Sequence, residues 1–355
     1  MSKILIGLSG GVDSAVSAYL LKKAGFEVIG LHLLLLPEYC QASRSAEDAE
    51  MVAEQLGIEF QTLDGREVFQ KKVIEPFAFA YFHGRTPSPC LECNRELKFG
   101  LMADFAQKIG ADYLATGHYA TVKNGEDGEY YLAKGADSKK DQSYFLCRIN
   151  KEILPHLIFP LSGYTKEEIR RIAEEIGLKV ADKPESQEVC FINDNDYKGF
   201  LHTHFGHGLK GELVDGEGKV LLEHEGVENF TIGQRKGLGV ALGKVVYVSK
   251  IDSSTGRVYL GENESLMQTT LWAKDNVFHT DLPIGEGIAV EAKVRYRAQA
   301  APAMLWRLNE SESKVVFDEP QRAITPGQIV CYYWQNRVLG GGVIDRVGDK
   351  ANDEE

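Results

Sequence analysis

A glycine-rich turn near the start of the chain constrains the fold more than any other feature. It consists of Ser9-Gly10-Gly11-Val12-Asp13-Ser14 and lies between an apolar run and a segment with apolar residues at helical spacing, so it connects a predicted first strand to a predicted first helix. Adjacent glycines let the backbone turn tightly and approach a ligand closely. The amide groups at the helix start, together with Ser9 and Ser14, can donate to phosphate oxygens. The turn therefore predicts a phosphate site.

This turn differs from the phosphate loop of kinases and GTPases because it contains no lysine. That loop requires Gly-Lys-Ser/Thr, whose lysine reaches the terminal phosphates. Here Asp13 stands in the turn, and a carboxylate suits a pyrophosphate that is bridged by a metal ion. An ordinary strand-to-helix turn is the alternative interpretation. The hexapeptide resembles the signature of the ATP pyrophosphatase (PP-loop) family, whose members cleave ATP between the α and β phosphates and adenylate a carbonyl of their substrate.

Strand and helix signals alternate over the first half of the chain. An apolar run at 26–36 predicts a strand buried on both faces, and a helix is expected from Ser45, its predicted N-cap, to Gly57. Further strands are predicted at 58–63 and 113–116. This alternation indicates an α/β fold with a doubly wound parallel sheet, in which ligands bind at the carboxyl ends of the strands.

The second half of the chain has short β-rich segments, frequent glycines and no long helical periodicity. We assign 1–205 to a catalytic ATP-binding domain, 206–265 to a small β-rich central domain and 266–350 to a C-terminal antiparallel β-barrel. In the last of these, strand alternation predicts that Lys293, Arg295 and Arg297 share one face, which would suit contacts to an RNA backbone.

A proline-rich loop contains a second candidate site. It presents Cys90 and Cys93 at a predicted helix start, and thiols near Arg85 or Arg95 are expected to ionise. Zinc would require four ligands, and only Cys190 is a clear companion. Three thiols with one open position would instead suit an iron-sulfur cluster. Two buried thiols without chemistry are the alternative interpretation.

Composition limits the classes of partner. The 355 residues carry a net charge of −12, which argues against binding to nucleic acid through bulk charge but leaves room for a local basic face. We expect no signal peptide, because the first residues run directly into the predicted first strand, and no apolar run approaches the roughly 20 residues of a membrane span. We therefore expect a cytoplasmic protein without a membrane partner, and a monomer.

Seven motifs, in order, resemble the bacterial tRNA-specific 2-thiouridylases, a family of ATP pyrophosphatases. They are Ser-Gly-Gly-Val-Asp-Ser at 9–14, Gly-Arg-Thr-Pro-x-Pro-x-x-x-Cys-Asn-x-x-x-Lys-Phe at 84–99, Thr-Gly-His-Tyr at 116–119, Lys-Asp-Gln-Ser at 140–143, Lys-Pro-Glu-Ser-Gln-Glu-Val-Cys-Phe-Ile at 183–192, Thr-Ile-Gly-Gln-Arg-Lys-Gly-Leu at 231–238 and Val-Arg-Tyr-Arg at 294–297. The resemblance spans nearly the whole chain. It implies an enzyme that replaces the C2 oxygen of the wobble uridine (U34) of certain tRNAs with sulfur.

The same resemblance implies roles for individual residues. ATP, with Mg²⁺, would be bound by Gly7, Leu8, Ser9, Gly10, Gly11, Val12, Asp13, Ser14, Leu33 and Gly117. The catalytic residues would be Cys93 as nucleophile, Cys190 as the cysteine that receives a persulfide sulfur, Cys90 and Asp13. The target base and tRNA would be contacted by Ser88, Pro89, Cys90, His118, Lys140, Asp141, Gln142, Tyr296, Arg297 and Gln328.

One position departs from much of the family, because Cys90 stands where many members carry aspartate. Two routes of sulfur transfer therefore stay open. In the persulfide route, a cysteine desulfurase or persulfide carrier delivers sulfur to Cys190, Cys93 attacks it, a disulfide between the two follows, and Cys90 assists. In the cluster route, which we favour slightly, Cys90, Cys93 and Cys190 hold a [4Fe-4S] cluster whose free iron binds the sulfide.

Two other functions are compatible with parts of the sequence. A different ATP pyrophosphatase, such as a small-molecule synthetase, would need the glycine-rich turn but not the cysteine loop. A non-catalytic tRNA-binding sulfur carrier that has kept the fold is the other alternative, and the intact turn together with both cysteine motifs argues against it.

Overall fold

The computed structural model describes residues 1–40, 44–126, 128–183, 189–192 and 195–348. These form two compact units, which are described separately. The first unit consists of Met1–Val73, Cys90–Asn193 and Asn336–Leu339, and the second of Ile74–Pro89, Asp194–Gln335 and Gly340–Glu355. Most of the motif at 183–192 that precedes Cys190 lies outside the described residues, as does Asp127 in the predicted hairpin turn.

The first unit is built on a parallel sheet. Its strands are β1 (Lys3–Gly7), β2 (Glu27–Leu34), β3 (Glu59–Asp64), β4 (Tyr113–Ala115), β5 (Ala120–Asn124), β6 (Tyr130–Lys134) and β7 (Leu157–Ile158). Five of them form one sheet in the order β3-β2-β1-β4-β7, with parallel neighbours throughout, and β5 and β6 form an antiparallel hairpin. The predicted parallel sheet is confirmed.

The α-helices are distributed over both units. Among the described residues they are α1 (Val12–Lys23), α2 (Ser45–Leu56), α3 (Arg66–Phe69), α4 (Glu75–Phe82), α5 (Pro89–Cys93), α6 (Met102–Lys108), α7 (Ser143–Leu146), α8 (Lys166–Glu175) and α9 (Tyr197–Phe205). Two π-helical segments, Gln70–Ile74 and Asn94–Leu101, join α3 to α4 and α5 to α6. Short 3₁₀ helices lie at Lys151–His156, Val227–Asn229 and Asn263–Leu266.

The glycine-rich turn follows a strand that lies in the core of the first unit. Ile4, Leu5 and Ile6 of β1 are completely buried, as expected of a strand covered on both faces. The prediction that Ser45 caps α2 is wrong, because Arg44 is the N-cap residue and Ser45 is already helical. Gly57 ends the helix in the left-handed conformation (φ 57°), as predicted.

The second unit is β-rich. Its central part is a four-stranded sheet of β8 (Gly211–Val214), β9 (Val220–His224), β10 (Tyr247–Asp252) and β11 (Arg257–Gly261), in the order β10-β11-β8-β9. Val227, Val248 and Val258 are completely buried in its core. The predicted small β-rich central domain is therefore present.

The last six strands form a closed antiparallel barrel. They are β12 (Met267–Phe278), β13 (Gly287–Lys293), β14 (Ala301–Arg307), β15 (Ser313–Arg322), β16 (Ile329–Trp334) and β17 (Arg337–Gly348). Their order is β12-β15-β14-β13-β16-β17, and β17 pairs back onto β12. The barrel confirms the predicted C-terminal architecture. Among the described residues, no helix has both the length and the apolar character needed to cross a membrane.

One local prediction in the barrel is wrong. Strand β13 ends at Lys293, and the next residues form a bend and a turn. Lys293, Arg295 and Arg297 therefore do not alternate along one strand. Instead, the Arg295 guanidinium donates to the carbonyls of Arg322 and Ala323 at 3.3 and 3.4 Å, whereas Arg297 is exposed.

Candidate active site

The glycine-rich turn leads from β1 into α1 in a conformation that only glycine supports at Gly10. Its φ is +72°, and a Cβ there would lie 2.6 Å from the Ser45 carbonyl oxygen and 2.8 Å from the Asp48 Cβ. The Ser9 amide donates to the Ser14 hydroxyl oxygen at 3.2 Å, and that hydroxyl donates to the Gly11 carbonyl at 3.1 Å. The turn is thus folded by its own hydrogen bonds and by close packing against α2.

Gly117 lies directly against this turn. A Cβ on Gly117 would be 2.9 Å from the Asp13 carbonyl carbon and 2.9 Å from the Ser14 amide nitrogen. Because any side chain would collide with backbone atoms, the segment after β4 can approach the turn only with glycine at this position. The carboxyl ends of β1 and β4 therefore meet at one edge of the sheet, where ligands bind in folds of this class.

A cavity of about 780 Å³ opens at this edge of the sheet, within the size range of small-molecule sites. It is bordered by the turn, the end of β2, the segment after β4 and the second cysteine motif. The predicted site residues that border it are Gly7, Leu8, Ser9, Asp13, Ser14, Leu33, Gly117, His118, Gln142 and Cys190. Gly10, Gly11 and Val12 shape the turn without bordering the cavity, and neither Cys90 nor Cys93 borders it.

The Asp13 carboxylate is held by two partners. Lys166 of α8 donates to its two oxygens at 2.7 and 2.8 Å, and the Tyr119 hydroxyl donates to Oδ1 at 2.8 Å. The Lys166 side chain is only 8% exposed, so water competes less for this ion pair than for one at the surface. Asp13 is oriented with its charge compensated, and a metal ion that bridges phosphates would share the carboxylate with Lys166.

Two further lysines reach the cavity or the turn from distant parts of the sequence. Lys183 Nζ donates to the Gly10 carbonyl at 2.9 Å and to Asp48 Oδ2 at 2.5 Å. Lys98 borders the cavity itself. The turn contains no lysine of its own, but the fold brings Lys166, Lys183 and Lys98 to the turn or the cavity from three other segments. The sequence alone did not assign these lysines to the phosphate site.

His32 contacts the backbone directly before the turn. Its Nδ1 donates to the Leu8 carbonyl at 2.7 Å, and burial lowers its pKa, with a further lowering by Lys183. A neutral ring with its proton on Nδ1 satisfies the carbonyl at the end of β1 without adding charge to the site. Sequence analysis missed His32, because a histidine inside an apolar strand is not distinguishable from a core residue.

The first cysteine motif lies in α5, which begins at Pro89. The Glu92 carboxylate is paired with Arg148, whose side chain is 3% exposed, and the Asn94 amide donates to the Phe145 carbonyl at 3.0 Å. These two contacts fix the helix that carries Cys90 and Cys93. Arg148 and Asn94 are therefore positioning residues for the thiols.

The surroundings of the thiols oppose their ionisation, contrary to the sequence prediction. Burial raises the pKa of Cys93 from 9.0 to about 11, and Lys98 offsets this only in part. The surrounding protein also raises the pKa of Cys90, and that of Cys190 to about 12. Cys93 is buried, whereas Cys90 and Cys190 are exposed. No arginine contributes to these shifts.

The three thiols share one neighbourhood. Burial is the main cause of the raised pKa of Cys190, and the nearness of Cys93 and Cys90, whose thiolates would repel its own, raises that pKa further. The nearness of Cys90 likewise adds to the effect of burial on the pKa of Cys93. Three cysteines so placed have the donor chemistry of a [4Fe-4S] ligand set and equally that of a persulfide relay. Both routes stay open.

Comparison with known proteins identifies the family. Residues 2–194 match the tRNA methyl transferase HUP domain, 198–262 the tRNA methyl transferase PRC-barrel domain and 268–344 the aminomethyltransferase beta-barrel domain. A "tRNA-specific 2-thiouridylase MnmA" of Clostridium botulinum is 46% identical over 97% of this chain and 98% of its own length. The chain belongs to the tRNA-specific 2-thiouridylase family.

Other members of this family are similarly close. The relative named "tRNA-specific 2-thiouridylase MnmA" from Carboxydothermus hydrogenoformans is 45% identical, and that from Clostridioides difficile is 44% identical. Each match covers 97% of this chain and 98% of the relative. The similarity therefore includes all three parts of the fold.

Several predicted tRNA contacts of this 2-thiouridylase family member have structural partners of their own. His118 is 8% exposed, and its Nδ1 lies 2.8 Å from the Thr116 hydroxyl; burial holds its pKa well below the usual range. Asp141 accepts from the Gly135 and Ser143 amides at 3.1 and 3.2 Å. These two side chains shape the cavity wall and its adjoining turn, so direct tRNA contact by them stays a prediction.

The neighbours of Asp141 follow the same pattern. Gln142 Oε1 accepts from the Tyr119 backbone amide at 3.0 Å, and the Gln142 backbone amide donates to the Tyr119 carbonyl at 2.8 Å. Lys140 is half-buried and donates its amide to the Asp137 carbonyl. Contact of either side chain with tRNA also stays a prediction.

In the second unit, Gln328 organises the loop that precedes α5. Its side-chain amide donates to the Thr86 and Pro87 carbonyls at 2.9 and 3.3 Å, and the Thr86 amide donates to the Pro326 carbonyl at 2.9 Å. Gln328 thereby fixes the backbone directly before Ser88 and Pro89. Tyr296 is half-buried with Lys293 Nζ 5.3 Å above its ring.

Proposed function

We propose that this protein catalyses ATP-dependent 2-thiolation of the wobble uridine (U34) of tRNA. One observation carries the proposal: Cys190, the predicted sulfur-carrying cysteine, borders the same cavity as Ser9, Asp13 and Ser14 of the predicted ATP site. A small-molecule synthetase would have no use for a thiol at its ATP site. Family membership supports the same function, since the relatives are named tRNA-specific 2-thiouridylases.

The reaction requires two steps at the C2 carbonyl group of uracil. The C2 oxygen of uracil is a poor leaving group, so it attacks the α phosphate of ATP, pyrophosphate leaves, and the oxygen becomes part of an adenylate. A sulfur nucleophile then attacks C2, and AMP leaves with that oxygen. The balance is uridine, ATP and hydrosulfide giving 2-thiouridine, AMP and pyrophosphate.

The turn supplies positioning and charge for the first step. The amides of the turn, with Ser9 and Ser14, would bind phosphate oxygens, and Asp13 would hold Mg²⁺, which neutralises the pyrophosphate. Lys98, which borders the cavity, and Lys183, which contacts the turn, are additional candidates for stabilising the negative charge that develops on the leaving group. Leu33 would pack against adenine.

The thiols supply the second step. In the persulfide route, Cys93 would attack the inner sulfur of the Cys190 persulfide. This would release hydrosulfide to attack C2 and leave a Cys93–Cys190 disulfide, which an external dithiol would reduce before the next turnover. Cys90 would be either an assisting thiol or the third cluster ligand. A cluster, if bound, would supply an iron that holds sulfide; the part of this chain is to provide three thiols in one neighbourhood. The sulfur donor in the persulfide route would be a cysteine desulfurase or persulfide carrier.

The tRNA partner would be contacted in both units. Ser88, Pro89 and Cys90 would face the target base, and Arg297, the exposed cation of the barrel turn, would contact phosphate. We retain 1–205, 206–265 and 266–350 as the proposed domains, a monomer as the active form, and the cytoplasm, where tRNA is found, as its location.

The decisive test combines tRNA, ATP and sulfide with the purified enzyme and measures AMP, pyrophosphate and 2-thiouridine together. We expect all three to form in equal amounts and only when tRNA is present. AMP formation without tRNA on a small carbonyl compound would favour a synthetase, and tRNA binding without AMP would favour a sulfur carrier.

The Arg297→Ala variant tests the tRNA contact in the barrel. Its tRNA affinity should fall, and the dependence of that affinity on salt concentration should weaken by about one unit of slope, while ATP affinity stays the same.

The two sulfur routes are separated by anaerobic purification or reconstitution. Iron, acid-labile sulfide and the visible spectrum are measured for the wild type and for Cys90→Ala, alongside thiolation. Stoichiometric iron that falls together with activity in the variant would establish the cluster route. Iron-free enzyme that thiolates tRNA with a persulfide donor would establish the persulfide route.

A further inference from the structure

A second group of metal-ligating side chains lies in the second unit, among residues that the proposed reaction does not use. His202 is in α9, His207 follows the end of that helix, and Glu228 is in the 3₁₀ turn Val227–Asn229. One ligand atom from each side chain lies within 4.8 Å of the others. Among the described residues, this is the group of three such side chains that meets in this way.

Glu228 is the unusual member of this group. Its side chain is completely buried, and a buried carboxylate is costly unless charge and hydrogen bonds compensate it. Oε1 accepts from the Gly208 amide at 3.2 Å and lies 3.0 Å from His202 Nε2. Within the described part of the chain, Oε2 has no hydrogen-bond partner.

The backbone around this carboxylate is built to leave it room. A Cβ on Gly208 would collide with Glu228 Oε2, and one on Gly226 would collide with both carboxylate oxygens. The two glycines therefore let two backbone segments close around a charged group. Buried oxygens such as Glu228 Oε2 rarely lack a hydrogen-bond partner unless a water molecule or an ion binds them.

The histidines complete the donor set from the open side. Their rings lie 4.2 Å apart between centroids, with a 35° angle between planes. The His202 side chain is 27% exposed and His207 is exposed, so a metal ion can enter from solvent. The contact between His202 and Glu228 involves Oε1 alone. It therefore accounts for neither Oε2 nor His207.

We propose that His202, His207 and Glu228 bind a divalent transition-metal ion, with zinc as the preferred one. Two imidazole nitrogens and one carboxylate oxygen are a common zinc ligand set, which leaves a fourth position for water. The ion would neutralise the buried carboxylate and link α9 and the segment after it to the 3₁₀ turn at Val227–Asn229. The proposed ligand set includes none of the three cysteines.

The test uses the full-length protein with any affinity tag removed and all thiols reduced. Metal is stripped with a chelator, zinc is added and dialysed, and zinc per chain is measured by mass spectrometry. The variant is His207→Ala, whose exposed side chain can be removed without opening the core, and the matched control is His204→Ala, from α9 but outside the group. Glu228→Gln tests the buried ligand.

We expect the wild type and His204→Ala to retain one more zinc per chain than His207→Ala, whose affinity should fall about a hundredfold or more. Zinc should raise the melting temperature of the wild type but not of His207→Ala. Cobalt in this site should give an absorption spectrum without thiolate charge transfer, which distinguishes it from metal on the cysteines. Equal zinc content in His207→Ala and the wild type, or a cobalt spectrum from thiolate ligands alone, would overturn the proposal.

Discussion

The glycine-rich turn and the two cysteines of α5, Cys90 and Cys93, belong to the same unit but are prepared for their ligands in opposite ways. The turn is preorganised, because Gly10 is locked against α2 and Asp13 is oriented by Lys166 and Tyr119. The thiols are well positioned but not activated, because burial raises the pKa of Cys93 to about 11 instead of lowering it. The difference suggests that ATP can bind to the free enzyme, whereas the sulfur chemistry waits for a change in the surroundings of the thiols.

The largest effect should come from Cys93→Ser. We expect thiolation to fall by about a thousandfold or more, as when a nucleophile is removed from other enzymes, while ATP affinity is unchanged. Mass spectrometry of 2-thiouridine measures thiolation, and calorimetric titration measures ATP affinity at the turn. Cys331→Ala, in the barrel, is the control for loss of a cysteine elsewhere; an active Cys93→Ser enzyme would remove Cys93 from the mechanism.

The protonation state of Cys93 can be measured by alkylation. Because the thiolate is the reactive form, and the pKa is raised from 9.0 to about 11, the rate at pH 8 should be about a hundredfold below that of a free cysteine. The rate should rise tenfold per pH unit up to about pH 11.

Lys98→Met should slow this alkylation further, since Lys98 is the cation that lowers the pKa of Cys93. The site of modification is assigned by peptide mass spectrometry. If Cys93 in the free enzyme reacts as fast as a free thiol, then it is already activated and the contrast with the turn disappears.

The rigidity of the turn is tested by two glycines with nearly the same backbone conformation. Gly10 and Gly110 have φ of +72° and +69°, but a Cβ on Gly110 would have no neighbour within 4 Å. Gly110→Ala should therefore lose only the cost of the left-handed conformation, about 1 kcal/mol of unfolding free energy. Gly10→Ala should lose roughly 2 to 3 kcal/mol, because the collision with α2 is added, and its ATP affinity should fall.

Urea unfolding and ATP titration of both variants decide whether the turn is rigid. Similar losses of unfolding free energy for the two variants, with ATP affinity retained in both, would mean that α2 can move aside and that the turn is not locked.

The smallest effect is expected for Lys166→Met. Removing the cation leaves Asp13 with Tyr119 alone, and because Asp13 is 32% exposed, we expect a loss of about 1 to 2 kcal/mol rather than that of a fully buried pair. Lys139→Met, in an exposed turn, is the matched control. Unfolding free energies that are equal in the two variants would show that the ion pair does not orient Asp13.

Much of this site could be predicted from the sequence where the signal is local. The turn, the strand before it and the contact with Gly117 follow from short-range patterns of glycine and apolar residues. Lys166, Lys183 and His32 could not be assigned, because they reach the turn from α8, from a distant loop and from inside an apolar strand.

The errors have physical causes as well. The thiols were expected to ionise because arginines are close in sequence, but the pKa depends on burial, which the sequence does not give. Alternation failed after Lys293 because the chain turns there. In the second unit, the histidine and glutamate group combines residues from a helix end and a 3₁₀ turn, which no motif connects.

The closure of the barrel has a consequence for synthesis of the protein. Each of its six strands pairs on both sides, and the first, β12, pairs with the last, β17. During translation, β12 and β16 therefore emerge with one unpaired edge each, and these edges are covered only after Gly348 has left the ribosome. A chain that stops before Arg337 would expose both strands as templates for aggregation. The final twelve residues of the barrel thus decide whether nascent chains stay separate.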